Sequence, residues 1–142
     1  MKISNKATTV WEGSGKKGKG TFKTPSGVLG DAAISFGKRF EGAQGTNPEE
    51  LIAAAHSGCF SMALAVQLEQ AGFTAERLET TAAITLEKVG DGFSVTRSDL
   101  TLEARVPDIE REAFGELAEK AKAGCPISKL LKAEISLKWN LA

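Results

Sequence analysis

The sequence predicts an α+β fold with mainly antiparallel sheets around one buried central helix. Three observations predict it. Strand-like segments occur in pairs joined by short glycine-containing turns, which favours hairpins and antiparallel pairing. The run LIAAAHSGCFSMALAVQLEQ is apolar on nearly every helical face, as expected of a helix covered on all sides. The closing segment alternates apolar and polar residues, as a half-buried strand does. The resulting order is ββ–α–ββ–α(α)–β in a single domain over residues 1–142.

Residues 2–12 and 16–24 read as the first two strands, with Gly13, Gly15, Gly18 and Gly20 making the hairpin flexible or bulged. Residues 25–46 lack a clean period. A connection this long is commonly functional or reaches towards another subunit. Asn47 can cap the central helix, Pro48 suits its first position, Glu50 can complete a capping box, and Gly72 can end it. Residues 78–89 and 93–106 form a second hairpin around Gly90, Asp91 and Gly92. Pro107 and Asp108 open the next helix, with Ile109, Ala113, Leu117 and Ala121 on one face. Gly124 ends it, and Pro126 starts a short helix to Leu131. On the last strand Ala133, Ile135, Leu137, Trp139 and Leu141 share one side. A fully apolar central helix needs cover that so small a domain does not readily provide, so a second subunit is a reasonable supplier.

Charge excludes some partners. Eighteen basic residues balance eighteen acidic ones, so no basic surplus points to nucleic acid or an anionic membrane. No apolar run is read as reaching the ~18 residues of a membrane span. The opening MKISNKATTVWEG has no apolar signal core, so the expected compartment is the cytoplasm. In a reducing compartment two cysteines are more often redox-active, metal-binding or simply buried than a structural staple.

Cys59 follows Gly58 within the central helix. If Gly58 breaks the helix, Cys59 lies at a new N-terminus whose free N–H groups favour a thiolate; otherwise it is a small buried residue. Cys125, in Gly-Cys-Pro, stands at the start of a short helix, which also favours ionisation; the bland alternative is a linker cysteine without a task. Arg39 is one of five arginines, and its guanidinium can hold a thiolate and orient a peroxide oxygen, or simply be solvated. Lys38 is read as facing solvent. With Glu50 assigned to the cap, Glu49 is free to lock Arg39, although both acids also suit the helix dipole. Ten helical residues rise roughly 15 Å, so Glu49 and Cys59 do not share a site along one straight helix. The single histidine, His56, is a candidate base or metal ligand, with a satisfied core histidine the commoner outcome. Two distant cysteines and one histidine match no zinc spacing.

The stretches RFEG, NPEELIAAAHSGCFSMAL and KAGCP, with the early WEG, closely resemble the OsmC/Ohr family of osmotically induced proteins and organic hydroperoxide reductases. The likeness spans essentially the whole chain. His-Ser-Gly-Cys-Phe-Ser-Met resembles the OsmC branch more than the Ohr branch. The first hairpin holds Lys16, Lys17 and Lys19 but no arginine, which leaves Arg39 as the matching candidate.

The resemblance implies an intertwined homodimer with active sites at the interface. It implies Cys59 as peroxidatic cysteine, Cys125 as resolving cysteine, and Arg39 with Glu49 as the activating pair. The implied activity is a thiol peroxidase that reduces organic hydroperoxides, and hydrogen peroxide too, through a Cys59 sulfenic acid and a Cys59–Cys125 disulfide. An external dithiol, of lipoyl type, would reduce that disulfide, with no metal, flavin or haem. The alternative is a non-catalytic redox-sensing or structural disulfide protein of the stress response.

Overall fold

Alternation and turn chemistry build the N-terminal elements. The computed structural model describes all residues, 1–142, and the chain forms two compact units, Met1–Leu51 and Ile52–Ala142. In the first, β1 (Thr8–Glu12), β2 (Lys19–Lys23) and β3 (Gly30–Ser35) form an antiparallel sheet in that order. The first two strands are shorter than the expected 2–12 and 16–24. Gly20 lies opposite Trp11, and a Cβ there would meet the Val10 carbonyl oxygen at 2.5 Å and the Trp11 ring at 2.8 Å. Only glycine permits that approach.

The span 25–46 is not irregular throughout. It holds β3 and a short helix, α1 (Phe36–Phe40), whose Ser35 cap accepts from the Lys38 N–H. The reason for the missed strand is a bulge. Phe22 pairs with Ala32 and Lys23 with Gly30, so Asp31 is skipped, and it sits at φ 58. One extra residue breaks the two-residue period that marks a strand. Of residues 1–51 only Gly20 is buried.

The second unit carries most of the core. Helix α2 (Pro48–Gln70) begins as expected, with the Glu50 N–H donating to Asn47 Oδ1 at 2.8 Å. The return bond of a capping box, from Asn47 N–H to Glu50, is not formed; Asn47 instead donates from Nδ2 to the Lys38 carbonyl. The helix ends in a Schellman motif at Gly72 (φ 91), with Phe73 N–H donating to Leu68 O and Gly72 N–H to Glu69 O. It runs through Gly58 without a break, so Cys59 gains no new helix N-terminus.

Nor is α2 buried on every face. His56, Phe60, Leu64 and Leu68 form one buried stripe at four-residue spacing, whereas Met62 and Val66 are exposed. At 23 residues and mean hydropathy 1.5, α2 is long and apolar enough to cross a membrane by length and composition, contrary to the sequence expectation. Its buried stripe nevertheless packs in a core with Leu100, Leu102, Phe114 and Ala118.

Strands β4 (Arg77–Val89) and β5 (Gly92–Arg105) form the expected hairpin, turning at Gly90 with φ 63. Helix α3 (Arg111–Gly124) starts later than Pro107, because Asp108 at φ 67 makes a turn there. Its buried residues are Phe114, Ala118 and Ala121, and Ile109 and Leu117 of the expected face pack against the same core. Gly115 lets the Trp139 ring approach: a Cβ would stand 2.9 Å from it. Helix α4 (Pro126–Leu130) and β6 (Glu134–Leu141) complete the chain. The sheet order is β4-β5-β6, and β6 pairs with β5 in parallel. That exception to antiparallel pairing follows from the helical crossover between them, which returns the chain to the starting edge.

A polar staple locks the parallel pair. Arg97 on β5 donates to Asp99 (Nη2–Oδ1 2.8 Å) and across to Glu134 on β6 (2.7 Å), and the Ser136 hydroxyl donates to Asp99. The Arg97 hydrogen bonds first, then Ser136, hold the Asp99 carboxyl at about 2, below its ordinary 3.8. A depressed carboxyl stabilises the fold above the unfolded-state pKa and loses that contribution as pH falls through the folded value. Between about pH 4 and pH 2 the wild type should therefore lose stability that Asp99→Asn does not. Urea midpoints of the two proteins at both pH values check this; parallel losses would refute it.

Candidate active site

Two elements of the second unit bring the cysteines together. Helix α2 carries Cys59 one turn after His56. The α3–α4 junction carries Cys125, which is both the C-cap of α3 and the N-cap of α4, with its N–H donating to Ala121 O at 2.9 Å. Gly124 and Pro126 place it there, one ending a helix and the other starting the next. Cys125 is completely buried, Cys59 partly so, and both are free thiols.

The two thiols are neighbours, Cys59 packing against the buried cluster that contains Cys125, close enough for each to act on the other's ionisation. Burial pushes the Cys59 thiol up, and donation to Cys125 pushes it further; the Ile127 N–H opposes both. Burial also acts upward on Cys125. There it is outweighed by the Cys59 S–H, the Ser128 N–H and hydroxyl, and the Ile127 N–H, so that Cys125 lies below an ordinary thiol. These N–H groups face the sulfur at the start of α4 without forming a close capping hydrogen bond. The sequence offered a helix start to both thiols; in the fold only Cys125 stands at one.

His56 is a satisfied core histidine and not a metal ligand. It is fully buried, with Nδ1 2.6 Å from Ser98 Oγ and Nε2 2.8 Å from Ser128 Oγ. Burial lowers its pKa, so the ring is neutral. The network assigns its tautomer. Ser98 is fully buried and its hydroxyl has no partner other than His56. If Nδ1–H donated to Ser98, the Ser98 proton would be left without an acceptor, at a cost of about 1–3 kcal/mol. With Ser98 O–H donating to Nδ1, Nε2–H donates to Ser128 Oγ, which leaves the Ser128 proton free to turn towards Cys125, the N-cap of the same short helix. Both ring nitrogens and the buried Ser98 hydroxyl are then satisfied.

Arg39 and Glu49 form the expected pair in the first unit. Arg39 Nε donates to Glu49 Oε1 at 2.8 Å, and the guanidinium lies 5.2 Å from the Phe40 ring centroid. Held through Nε, the fork keeps both Nη groups unpaired. Glu49 Oε2 is buried without a hydrogen-bond partner. Lys38 does not merely face solvent: its Nζ donates to Gln44 O at 2.6 Å and ties down the following loop.

An open groove of about 370 Å³ begins at Cys59 and is lined by Met62, Ala63, Val66, Ala121 and Pro126, with Gln67 and Lys120. No cluster of three or more His, Cys, Asp or Glu side chains is placed to hold a metal ion. Sequence reasoning missed Ser98 and Ser128. Ser128 carries a weak local signal, since it is three residues after the helix-capping Cys125. Ser98 has none, because only the packing of β5 against α2 brings it to His56.

Comparison with known proteins agrees with this architecture. The family model described as OsmC-like protein matches residues 41–140. The chain is 52% identical over 141 residues to Peroxiredoxin OsmC of Escherichia coli (strain K12), covering 99% of each. It is 31% identical to the organic hydroperoxide resistance protein OhrB of Bacillus subtilis (strain 168), over 86% of this chain and 88% of that one. The crystal structure of that OhrB superposes with a TM-score of 0.68 at 28% identity, covering 96% of this chain and 98% of the other. With the paired cysteines and the two-sheet architecture in place, this chain is a member of the OsmC-like family.

Proposed function

We propose that the chain is a cysteine-based peroxidase that reduces organic hydroperoxides, and hydrogen peroxide as well, to alcohol or water. The observation that carries this reading is the meeting of Cys59 and Cys125 as neighbouring free thiols, with Cys59 lining a mostly apolar groove. Its kinship to proteins named peroxiredoxin and organic hydroperoxide resistance protein supports the same reading. Cys59, which lines the groove, attacks the outer peroxide oxygen; the O–O bond breaks, an alcohol or water leaves, and Cys59 becomes a sulfenic acid. Buried Cys125 then condenses with it, releasing water and forming the disulfide. An external dithiol, of lipoyl type, returns both to thiols by exchange. No step calls for a metal or prosthetic group.

Attack by Cys59 requires its thiolate, yet burial and Cys125 hold it protonated. A cation must be delivered to it. Arg39, locked by Glu49 with both Nη groups unpaired, is the group suited to that task. Glu49 stands ten residues before Cys59 on α2, roughly 15 Å of helical rise, which favours a second copy of the chain as the supplier of the pair. A homodimer would also cover the exposed Met62 and Val66 and the first unit, where only Gly20 is buried. We place this activity in the reducing cytoplasm, with the whole of residues 1–142 serving as one functional domain. The test is a steady-state assay with cumene hydroperoxide and either a lipoyl-type dithiol or a monothiol. Sustained consumption that is faster with the dithiol is expected. A single stoichiometric burst despite excess dithiol would favour a redox sensor instead.

A further inference from the structure

The buried chain of hydroxyls and imidazole behind Cys125 has no part in the peroxide chemistry described above. A histidine completely enclosed in an apolar core, bonded on both nitrogens to serine hydroxyls, is a poor filler where Phe60 and Leu64 do the packing. The three residues come from three separate elements: His56 from α2, Ser98 from β5 and Ser128 from α4. Ser98 and Ser128 bracket the ring at 2.6 and 2.8 Å. Ser128 lies three residues after Cys125, on the first turn of the helix that Cys125 caps.

We propose that Ser98, His56 and Ser128 are positioning residues that aim one hydroxyl proton at the Cys125 sulfur and thereby accelerate closure of the Cys59–Cys125 disulfide. This rests on the reading of Cys125 as the resolving cysteine. Ser98 O–H holds His56 in the Nε2–H tautomer. Nε2–H occupies a lone pair of Ser128 and turns the Ser128 proton outward. In the closure step the Cys125 sulfur attacks the Cys59 sulfenic sulfur, the S–S bond forms and the S–O bond breaks. The sulfenic sulfur is reduced and the Cys125 sulfur oxidised, both to the disulfide level. The departing hydroxide takes the proton that Cys125 gives up and leaves as water. His56 stays neutral throughout, and Ser128 donates to the attacking thiolate without losing its proton.

The titratable groups facing the Cys125 sulfur are Cys59 from α2 and, one hydroxyl away, His56; β5 presents only the Ser98 hydroxyl, with Asp99 turned to Arg97, and Lys120 of α3 lines the groove at Cys59. Below the thiol pKa, each unit by which it falls raises the thiolate fraction about tenfold and lowers its nucleophilicity about threefold, a net gain of about threefold per unit.

The experiment follows one turnover of the reduced full-length protein with one equivalent of cumene hydroperoxide, from about pH 6 to 9. Sulfenic acid is trapped with a dimedone-type probe, and the disulfide is counted as thiols lost. Ser128→Ala should form sulfenic acid at close to the wild-type rate but close the disulfide about three- to tenfold more slowly near neutral pH, with its closure profile displaced to higher pH. Ser128→Thr keeps the hydroxyl and should restore both rate and profile. Wild-type closure in Ser128→Ala, or equal slowing of Ser128→Thr with an unmoved profile, would overturn the proposal. Absence of any trappable Cys59 sulfenic acid in Cys125→Ser would instead strike the peroxidase reading beneath it.

Discussion

Cys59→Ser is expected to bring steady-state consumption of cumene or tert-butyl hydroperoxide down to background while leaving the fold intact. A serine hydroxyl is not ionised at neutral pH, so the substitution removes the nucleophile and little volume. Cys125→Ser should behave differently. It keeps the attacking sulfur but removes the one that closes the disulfide, so about one equivalent of peroxide is consumed and a sulfenic acid remains on Cys59. The pair is informative because the thiols are neighbours in a single buried contact. A packing role for both would leave the two variants alike. Peroxide consumption by Cys59→Ser at the wild-type rate would remove Cys59 from the chemistry.

The next largest effect is expected from Arg39→Ala. The surroundings of Cys59 inside its own unit work against ionisation, through burial first and donation to Cys125 second. A cation within about 4–6 Å shifts a neighbouring acid by about 1–3 units. Its removal should therefore slow the peroxidatic step about three- to thirtyfold at neutral pH, at about threefold per unit, and displace the alkylation profile of Cys59 upward by about 1–3 units. Below the thiol pKa the deficit should be constant; it should shrink as pH rises and Cys59 ionises unaided. Glu49→Gln should give a smaller loss of the same kind, since it loosens the Arg39 fork without removing the charge. Stopped-flow peroxide reduction and iodoacetamide rates across pH measure both. An unchanged alkylation profile in Arg39→Ala would exclude it from the site.

Much of α2 and of the hairpin after it could be read locally. Asn47 and Pro48 start α2 where side-chain capping demands, Gly72 ends it through a positive φ, and Gly90 turns the β4–β5 hairpin. These are short-range effects, decided within a few residues. Elsewhere a distant partner overrides the local rule. Asp31 bulges out of β3 only because β2 pairs on both sides of it, and so the strand was hidden. Gly58 was weighed as a helix breaker, but nothing fills the space beside it and the helix passes through. Helix α3 starts later than Pro107 because Asp108, at positive φ, holds the chain in a turn before helical hydrogen bonds begin.

By itself the sequence determined the α+β order, the helix caps, and the chemical types available: two thiols, one histidine and an arginine followed ten residues later by a carboxylate. Only the tertiary structure decided which of these touch. It set Cys59 on Cys125, Arg39 on Glu49, and His56 between Ser98 and Ser128. It also set the surroundings in which each thiol ionises, because ionisation depends on burial and on donors contributed by distant segments. Residue type is a property of the chain, whereas a pKa is a property of the surroundings that folding assembles.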